Sequence, residues 1–403
     1  MGAPESRPLR IAAFGFRSMP PRAGAAGADK FALELFPRLA AKGCAVTAYT
    51  RIYPEDPDEP AEGAFRGVRT VGLRTVAAKG FDTLLHSARA TWRILARDGA
   101  DVVHIQNGGN SPFALLLRLA GKRVFISQDG PDWLRDKWPW YAKLYLRLTQ
   151  YLTAFGPTSI IFDNIYARAY FEEKFKRRYH FVPFGADVAY DPASEAVLDR
   201  LGLERGKYFL FVGRFIPDKG LHYLVPAFER LAAPDMKLVL VGGSPNPSGY
   251  EAGIRSTADP RIVMPGFIYG PEMHALMKNA RAYVQPSDVE GLSPVILESA
   301  YLGAPVICSD IIQNTYAMRE HALYFKAGSA DDLHRRLSEA MTDAALLAAA
   351  AAGQAHVRAT FSWDSVAQDH LDIFHGVRAP HEGEQDAAPA AASKSAPAVE
   401  TAA

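Results

Sequence analysis

The chain has 403 residues, 48% of them hydrophobic, with 45 Lys and Arg against 44 Asp and Glu for a formal net charge of +1. That balance argues against a dedicated nucleic-acid binder, which carries a basic excess to neutralise phosphates, and the apolar content excludes a disordered polyelectrolyte for most of the length. Cys44 and Cys308 are the only cysteines, which rules out a disulfide framework and a cysteine-rich metal cluster and fits a reducing compartment.

The first residues, Met1-Gly2-Ala3-Pro4-Glu5-Ser6, fit the loose myristoylation pattern, one so short that it often matches by chance. No apolar h-region follows, which argues against a secretory signal. No apolar run reaches the roughly 18 residues of a membrane-spanning helix. A cytoplasmic protein is therefore expected.

Residues 9–16 predict a buried strand, and a Gly/Pro-rich loop follows it. Residues 29–41 carry Phe31, Leu35 and Leu39 at helical spacing, and Gly43 ends that helix. Further strands are predicted at 45–50, 68–73, 101–105, 124–127, 159–162 and 179–182. Helical stretches lie between them, at 83–96, 112–120, 142–151 and 164–176. Strands alternating with helices indicate parallel pairing through crossover helices.

The pattern loosens over 185–205, where a linker is expected, and then restarts. Strands are predicted at 208–212, 237–241, 262–264, 282–285 and 306–308, with helices at 220–231, 271–279 and 294–301. Residues 362–374 form a capped amphipathic segment with Ser362 as N-cap. Beyond Gly376 the chain turns to Ala, Pro, Glu, Ser and Lys and cannot bury enough surface to order itself. The expected division is 1–184 and 206–360 for two α/β domains, 361–376 for a closing helix and 377–403 for a disordered tail.

The segment richest in chemistry is Gln285-Pro-Ser-Asp-Val-Glu-Gly-Leu-Ser-Pro294, continuing through Glu298 to Gly303-Ala-Pro305. A strand ends near Gln285, a loop carries Glu290 and Gly291, and Ser293-Pro294 opens a helix. Backbone N–H groups at Gly291 and Leu292 make a natural anion site. Glu290 and Glu298 beside it make sense as acceptors for sugar hydroxyls, because an ionised carboxylate only accepts. The plainer reading is a solvated loop–helix junction.

The second constellation is Phe211-Val-Gly-Arg-Phe-Ile-Pro-Asp-Lys-Gly220. A strand feeds Gly213 and Arg214, and Lys219-Gly220 opens a helix. Ligands of open α/β sheets bind outside the carboxyl ends of strands, where both cations would stand. Arg suits forked phosphate recognition and Lys a point contact, so with the glutamate segment present a diphosphate clamp outweighs two solvated cations.

Gly213-Arg214 with Lys219-Gly220, followed by Glu290, Glu298 and Gly303-Ala-Pro305, resembles the retaining glycosyltransferases of family four over residues 9–376. The resemblance implies the α/β GT-B fold, two Rossmann-like domains facing across a cleft. It implies transfer of a hexose from a nucleotide diphosphate-sugar, without a metal or cofactor, to a saccharide acceptor. The setting it suggests is polysaccharide assembly on a lipid-linked acceptor at the inner face of the plasma membrane. By the same resemblance Arg214 and Lys219 hold the diphosphate, Glu298 binds the ribose, Glu290 the transferred sugar, and the backbone of Gly291 and Leu292 assists. The closing helix would cross back to the first domain.

The N-terminal matches are looser. Residues 14–29 resemble the family's glycine-rich loop, where Gly24 and Gly27 would let backbone approach a ligand and Asp29 opens a helix. Asp101-Val-Val-His-Ile-Gln106 resembles a strand that usually ends His-x-His. Gln106 replaces the second histidine and cannot shuttle a proton, while His104 is either a ligand contact or a buried strand histidine. Asp129 and Asp132 are either sugar contacts or turn formers.

Residues 132–155 mix Trp133, Trp138, Trp140, Tyr141 and Tyr145 with several cations. They read as a surface for sugars or for a membrane face, or more plainly as a helix packed by its aromatics with charges outward. Asp56-Pro-Asp58 mimics a metal-binding Asp-x-Asp but sits in a Pro/Glu loop without a preceding strand. No Walker loop, Gly-x-Gly-x-x-Gly after a strand or Gly-x-Ser-x-Gly elbow occurs. Two other classes remain compatible: a sugar-nucleotide epimerase of the same architecture, and a non-catalytic nucleotide-sugar-binding subunit.

Overall fold

A computed structural model describes residues 7–20, 27–55, 60–78, 80–128, 140–244, 249–342 and 344–380. Among them the chain separates into two compact units, residues 7–184 with 363–380, and residues 185–362.

The first unit runs β1 (Arg10–Phe14), α1 (Gly27–Ala41), β2 (Ala45–Ile52), β3 (Glu62–Phe65), β4 (Val68–Arg74) and α2 (Phe81–Arg93). It continues with β5 (Val102–Gln106), α3 (Ser111–Leu119), β6 (Arg123–Gln128), α4 (Trp140–Phe155), β7 (Ser159–Phe162), α5 (Ile165–Phe175) and β8 (His180–Phe181). Its sheet has the order β3-β4-β2-β1-β5-β6-β7-β8 and is parallel except for the β3–β4 hairpin. That hairpin was not expected from the sequence. Its turn is Arg66-Gly67, with φ of 45° and 80°, a two-residue turn without the usual Asn-Gly signal.

The second unit begins with α6 (Ala196–Arg200), β9 (Tyr208–Gly213), α7 (Leu221–Glu229), β10 (Lys237–Gly242), α8 (Gly249–Arg255) and β11 (Ile262–Gly266). Next come α9 (Pro271–Asn279), β12 (Ala282–Gln285), α10 (Pro294–Tyr301), β13 (Val306–Ser309), α11 (Ile312–Met318) and β14 (Leu323–Phe325), then α12 (Ala330–Thr342) and α13 (Ala344–Thr360). Its sheet is wholly parallel with the order β11-β10-β9-β12-β13-β14. Residues 185–205, expected as a linker, belong to this unit: Val197, Leu198 and Leu203 are buried, and the Gly206 N–H donates to the Asn279 carbonyl at 2.9 Å.

Both sheets reverse direction of winding once, between β1 and β5 and between β9 and β12. Such switch points open a crevice at the carboxyl ends of the strands, where ligands of doubly wound sheets bind. The inner strands, such as β1, β5, β9 and β10, are buried on both faces, which explains their apolar runs.

The last helix, α14 (Trp363–His375), packs in the first unit. Trp363, Val366, Ile373 and Phe374 share a core with Phe31, Leu35 and Leu39 of α1, and Trp363 meets the Phe31 ring edge-on at 5.9 Å. Of the expected disordered tail, 377–403, residues 377–380 are described and tied to α14, with the Val377 N–H donating to the Asp372 carbonyl at 2.9 Å and Arg378 paired with Asp369; residues 381–403, like Asp56 and Asp58, lie outside the described residues.

Three histidines are sealed in this unit. Burial holds His86 down at about 3, His370 at about 4 and His104 well below the ordinary value, with His370 adding to the effect on His104. They are neutral when folded and bind protons more readily when unfolded. Stability is therefore expected to be intact above pH 6.5 and to fall on acidification towards pH 4, by about 1.4 kcal/mol per unit for each histidine. A thermal melt series over that range checks this; a midpoint flat from pH 6.5 to 4.5 would contradict it.

Candidate functional site

The two motifs of the second unit meet at its switch point. β9 ends at Gly213, and Arg214 follows it, exposed and without a side-chain partner among the described residues. A short turn over Pro217–Lys219 then delivers Gly220 in the left-handed region, φ 69°. A Cβ on Gly220 would fall 1.9 Å from the Pro286 carbonyl oxygen, so only glycine lets this turn lie against the end of β12. The Asp288 N–H donates to the Asp218 carbonyl at 3.0 Å and stitches the loops a second time. Gly220→Ala is expected to cost about 2 kcal/mol or more and to weaken ligand binding, because strain and clash coincide. Chemical denaturation measures the first and nucleotide titration the second.

Glu290 is the focus of the junction, with its side chain 7% exposed. Its Oε1 accepts from Lys219 Nζ at 2.5 Å, from Ser287 Oγ at 2.7 Å and from Gln285 Nε2. The Tyr283 hydroxyl donates to Gln285 Oε1, which turns the Gln285 amide nitrogen towards Glu290 and Ser287. Ser309 Oγ holds the Ser287 carbonyl at 2.6 Å and is itself held by Asn314 Nδ2 at 3.0 Å. Three donors on one oxygen fix the carboxylate and leave Oε2 without a partner among the described residues. Such a buried ion pair persists only where added hydrogen bonds offset desolvation.

Helix α10 starts as expected, with Ser293 at N-cap and Pro294 at the first position, although the Ser293 side chain makes no capping bond. The N–H groups of Gly291 and Leu292 have no hydrogen-bond acceptor among the described residues, so they remain available to an anion. Glu298 lies in the second turn of α10, 6% exposed. Gly242 ends β10 beside Gly213, where a Cβ would fall 2.0 Å from the Gly213 carbonyl oxygen. Gln285, Ser287, Ser309 and Asn314 were not singled out in the sequence. The polar Gln-Pro-Ser at the end of an apolar strand was the available signal for the first two.

In the first unit, Gly15 after β1 has φ 106°, and a Cβ there would fall 2.4 Å from the Gln106 carbonyl oxygen. Gln106 ends β5, 6% exposed, and its Nε2 is buried without a partner among the described residues. His104 is no site residue. It is fully buried, its Nε2 within 2.7 Å of Ser127 Oγ and its ring among Phe36, His370 and Phe374, on the face that α1 and α14 cover. Strand alternation turns it away from the crevice into the core.

Asp29 ties the loop after β1 to α1, its Oδ1 accepting from the N–H of Arg17 at 2.7 Å and of Ser18 at 3.3 Å. Gly27 is the first residue of α1, with open space where a Cβ would stand. Gly24, Asp129 and Asp132 lie outside the described residues. Burial pushes the thiols of Cys44 and Cys308 up, so neither is an activated nucleophile. Among the described residues no group of three His, Cys, Asp or Glu could hold a metal ion.

Two doubly wound units, each with a switch point at its carboxyl strand ends, and basic and acidic groups joined at the second, define a GT-B glycosyltransferase. Residues 196–355 match the family model of glycosyl transferases group 1, and residues 26–185 match that of the glycosyl transferase 4-like domain. The chain is a GT-B glycosyltransferase with the two domains that these models describe.

Among its relatives is a GDP-mannose-dependent alpha-(1-6)-phosphatidylinositol monomannoside mannosyltransferase of Mycobacterium tuberculosis, 27% identical over 303 residues, 68% of this chain and 76% of the relative. O-antigen chain mannosyltransferase C of Escherichia coli is 32% identical over 148 residues, 34% of this chain and 38% of that one. In fold the chain resembles sucrose-phosphate synthase from Thermosynechococcus elongatus, with a TM-score of 0.75 at 21% identity over 92% of this chain and 99% of the other. It also resembles Anabaena HepE in complex with UDP and glucose, with a TM-score of 0.73 at 15% identity over 91% of this chain and 100% of the other.

Proposed function

We propose that this glycosyltransferase moves a hexose, with retention and without a metal, from a nucleotide diphosphate-sugar to a saccharide acceptor carried on a lipid. The observation that supports it most is the junction at the second switch point, where Arg214, without a side-chain partner among the described residues, follows the end of β9 and Lys219, Gln285 and Ser287 together fix the Glu290 carboxylate. Arg214 and Lys219 bind the diphosphate, with the N–H groups of Gly291 and Leu292. Lys219 turns from Glu290 to the phosphate when donor arrives. Glu290 accepts from hydroxyls of the transferred sugar through Oε2, and Glu298 accepts from the ribose.

In the reaction the bond from the anomeric carbon to the β-phosphate oxygen breaks, and a bond to the acceptor oxygen forms on the same face. The acceptor proton passes to the leaving phosphate. Two cations stabilise the charge that develops there, each contribution typically about 3 kcal/mol. The first unit takes the acceptor, and the Gln106 amide offers it a hydrogen-bond donor. The lipid carrier is drawn from one relative, which by name acts on a phosphatidylinositol monomannoside, and the saccharide acceptor also from one named for an O-antigen chain. It implies work at the inner face of the plasma membrane, in polysaccharide assembly.

The test is incubation with a panel of nucleotide sugars in EDTA, with and without membrane extract, following free nucleotide and labelled lipid. Labelled lipid only with extract is expected. Isomerised nucleotide sugar without acceptor, or binding without turnover, would overturn the reading.

A further inference from the structure

Helix α4 is amphipathic with its faces reversed. Its core side is Thr149, Gln150, Thr153 and Ala154, all buried. Its solvent side is Trp140, Tyr141, Leu144, Leu148, Tyr151 and Phe155, between 50% and 77% exposed. At 3.6 residues per turn those six fall within an arc of about 100°. Of the two readings of this segment, the helix with aromatics inward and charges outward is thus the one that fails.

The buried polar side is satisfied locally, so the orientation is built in. Thr153 Oγ1 lies 2.9 Å from the Thr149 carbonyl and 3.1 Å from that of Gly108. Ser111 Oγ of α3 donates to the Thr149 carbonyl at 3.0 Å, and Gln150 Oε1 accepts from Lys174 Nζ at 2.7 Å. Adjacent α3 adds Leu116 and Leu119, 53% and 77% exposed. A contiguous apolar face of this kind on a water-soluble unit marks an interaction surface.

Among the described residues the charge around it is mainly positive. Residues 102–128 and 140–162 contain no Asp or Glu, against Arg118, Lys122, Arg123, Lys143 and Arg147. Helix α5 adds Lys174 over the Tyr151 ring, and the segment after it adds Arg177 over the Phe155 ring, each at 5.3 Å. Its acids are Glu172, which holds the Tyr179 N–H at 3.0 Å, and exposed Glu173. A second copy docked by two-fold symmetry would set these like charges against each other. A bilayer with anionic headgroups matches both the apolar stripe and the cations.

We propose that the α3–α4 face docks this protein on an anionic lipid surface, with α4 in the interface plane, its rings among the headgroups and Arg147 and its neighbours on lipid phosphates. The inference deepens, and for its purpose rests on, the lipid-carried acceptor proposed above. Its test needs no turnover, so the two fail separately.

The full chain is floated with vesicles of phosphatidylcholine alone or mixed with phosphatidylglycerol, at low and high salt. Binding to the anionic vesicles, weakened by salt, is expected. The double substitution Leu144→Glu, Leu148→Glu should lower it on the order of tenfold or more. Arg147→Glu, at an exposed position without an ion-pair partner among the described residues, should lower it too. All variants should keep nucleoside diphosphate binding and the wild-type melting curve. Wild type that ignores anionic vesicles, or variants that bind as wild type does, would overturn the proposal. So would a wild-type dimer that the double substitution separates.

Discussion

Glu290→Gln is expected to lower transfer by about two to three orders of magnitude while leaving nucleoside diphosphate affinity equal or higher. The amide can turn its oxygen towards Lys219, Ser287 and Gln285, so the fixed geometry survives. What goes is the charge and its capacity to accept from sugar hydroxyls as the anomeric carbon becomes cationic. A carboxylate beside a diphosphate costs electrostatic energy, so losing its charge favours the nucleotide. Glu290→Ala should be as inactive and less stable by about 1–3 kcal/mol, because the Gln285 and Ser287 donors lose their acceptor. Steady-state kinetics with labelled donor, paired with nucleotide titration, separates these effects.

Arg214→Ala and Lys219→Ala should each lower kcat/KM by about a hundredfold to a thousandfold, the loss of one pre-aimed donor at the leaving phosphate. Their stabilities should differ. Arg214 has no partner among the described residues, so its removal should leave the melting curve in place. Lys219 neutralises a nearly buried carboxylate, so its removal should lower the melting point. Arg214→Lys should recover only part of the rate, since a point charge does not replace a fork. Near-wild-type kcat/KM in both alanine variants would remove these two side chains from the site.

Much of this was legible because the strands are buried runs and the helices amphipathic. Ser159–Phe162, Pro271–Asn279, Ala282–Gln285 and Pro294–Tyr301 fall where the pattern places them. The β3–β4 hairpin was hidden by a turn of unusual residues. Helix α13 was hidden by its Ala run, which has high helix propensity but no polar stripe. At the site, charged residues in loops were readable because chemistry restricts their type. The scaffold that aims Glu290 was not: Gln285 and Ser287 come from one stretch of chain and Ser309 and Asn314 from another that only folding brings to it. His104 shows the converse, a residue with the right chemistry whose strand register turns it into the core. The reversed faces of α4 could not be told from the sequence, since periodicity finds an apolar stripe without saying what it meets.

The most direct measurement is calorimetric titration of UDP and of GDP, in EDTA, into wild type and into the double variant Arg214→Ala, Lys219→Ala. One nucleotide is expected to bind wild type at a single site, and the double variant to bind it about a hundredfold or more weakly with its fold intact. Equal affinity in the two proteins would contradict the diphosphate clamp, and with it the placement of the reaction at the junction of Gly213–Gly220 and Glu290.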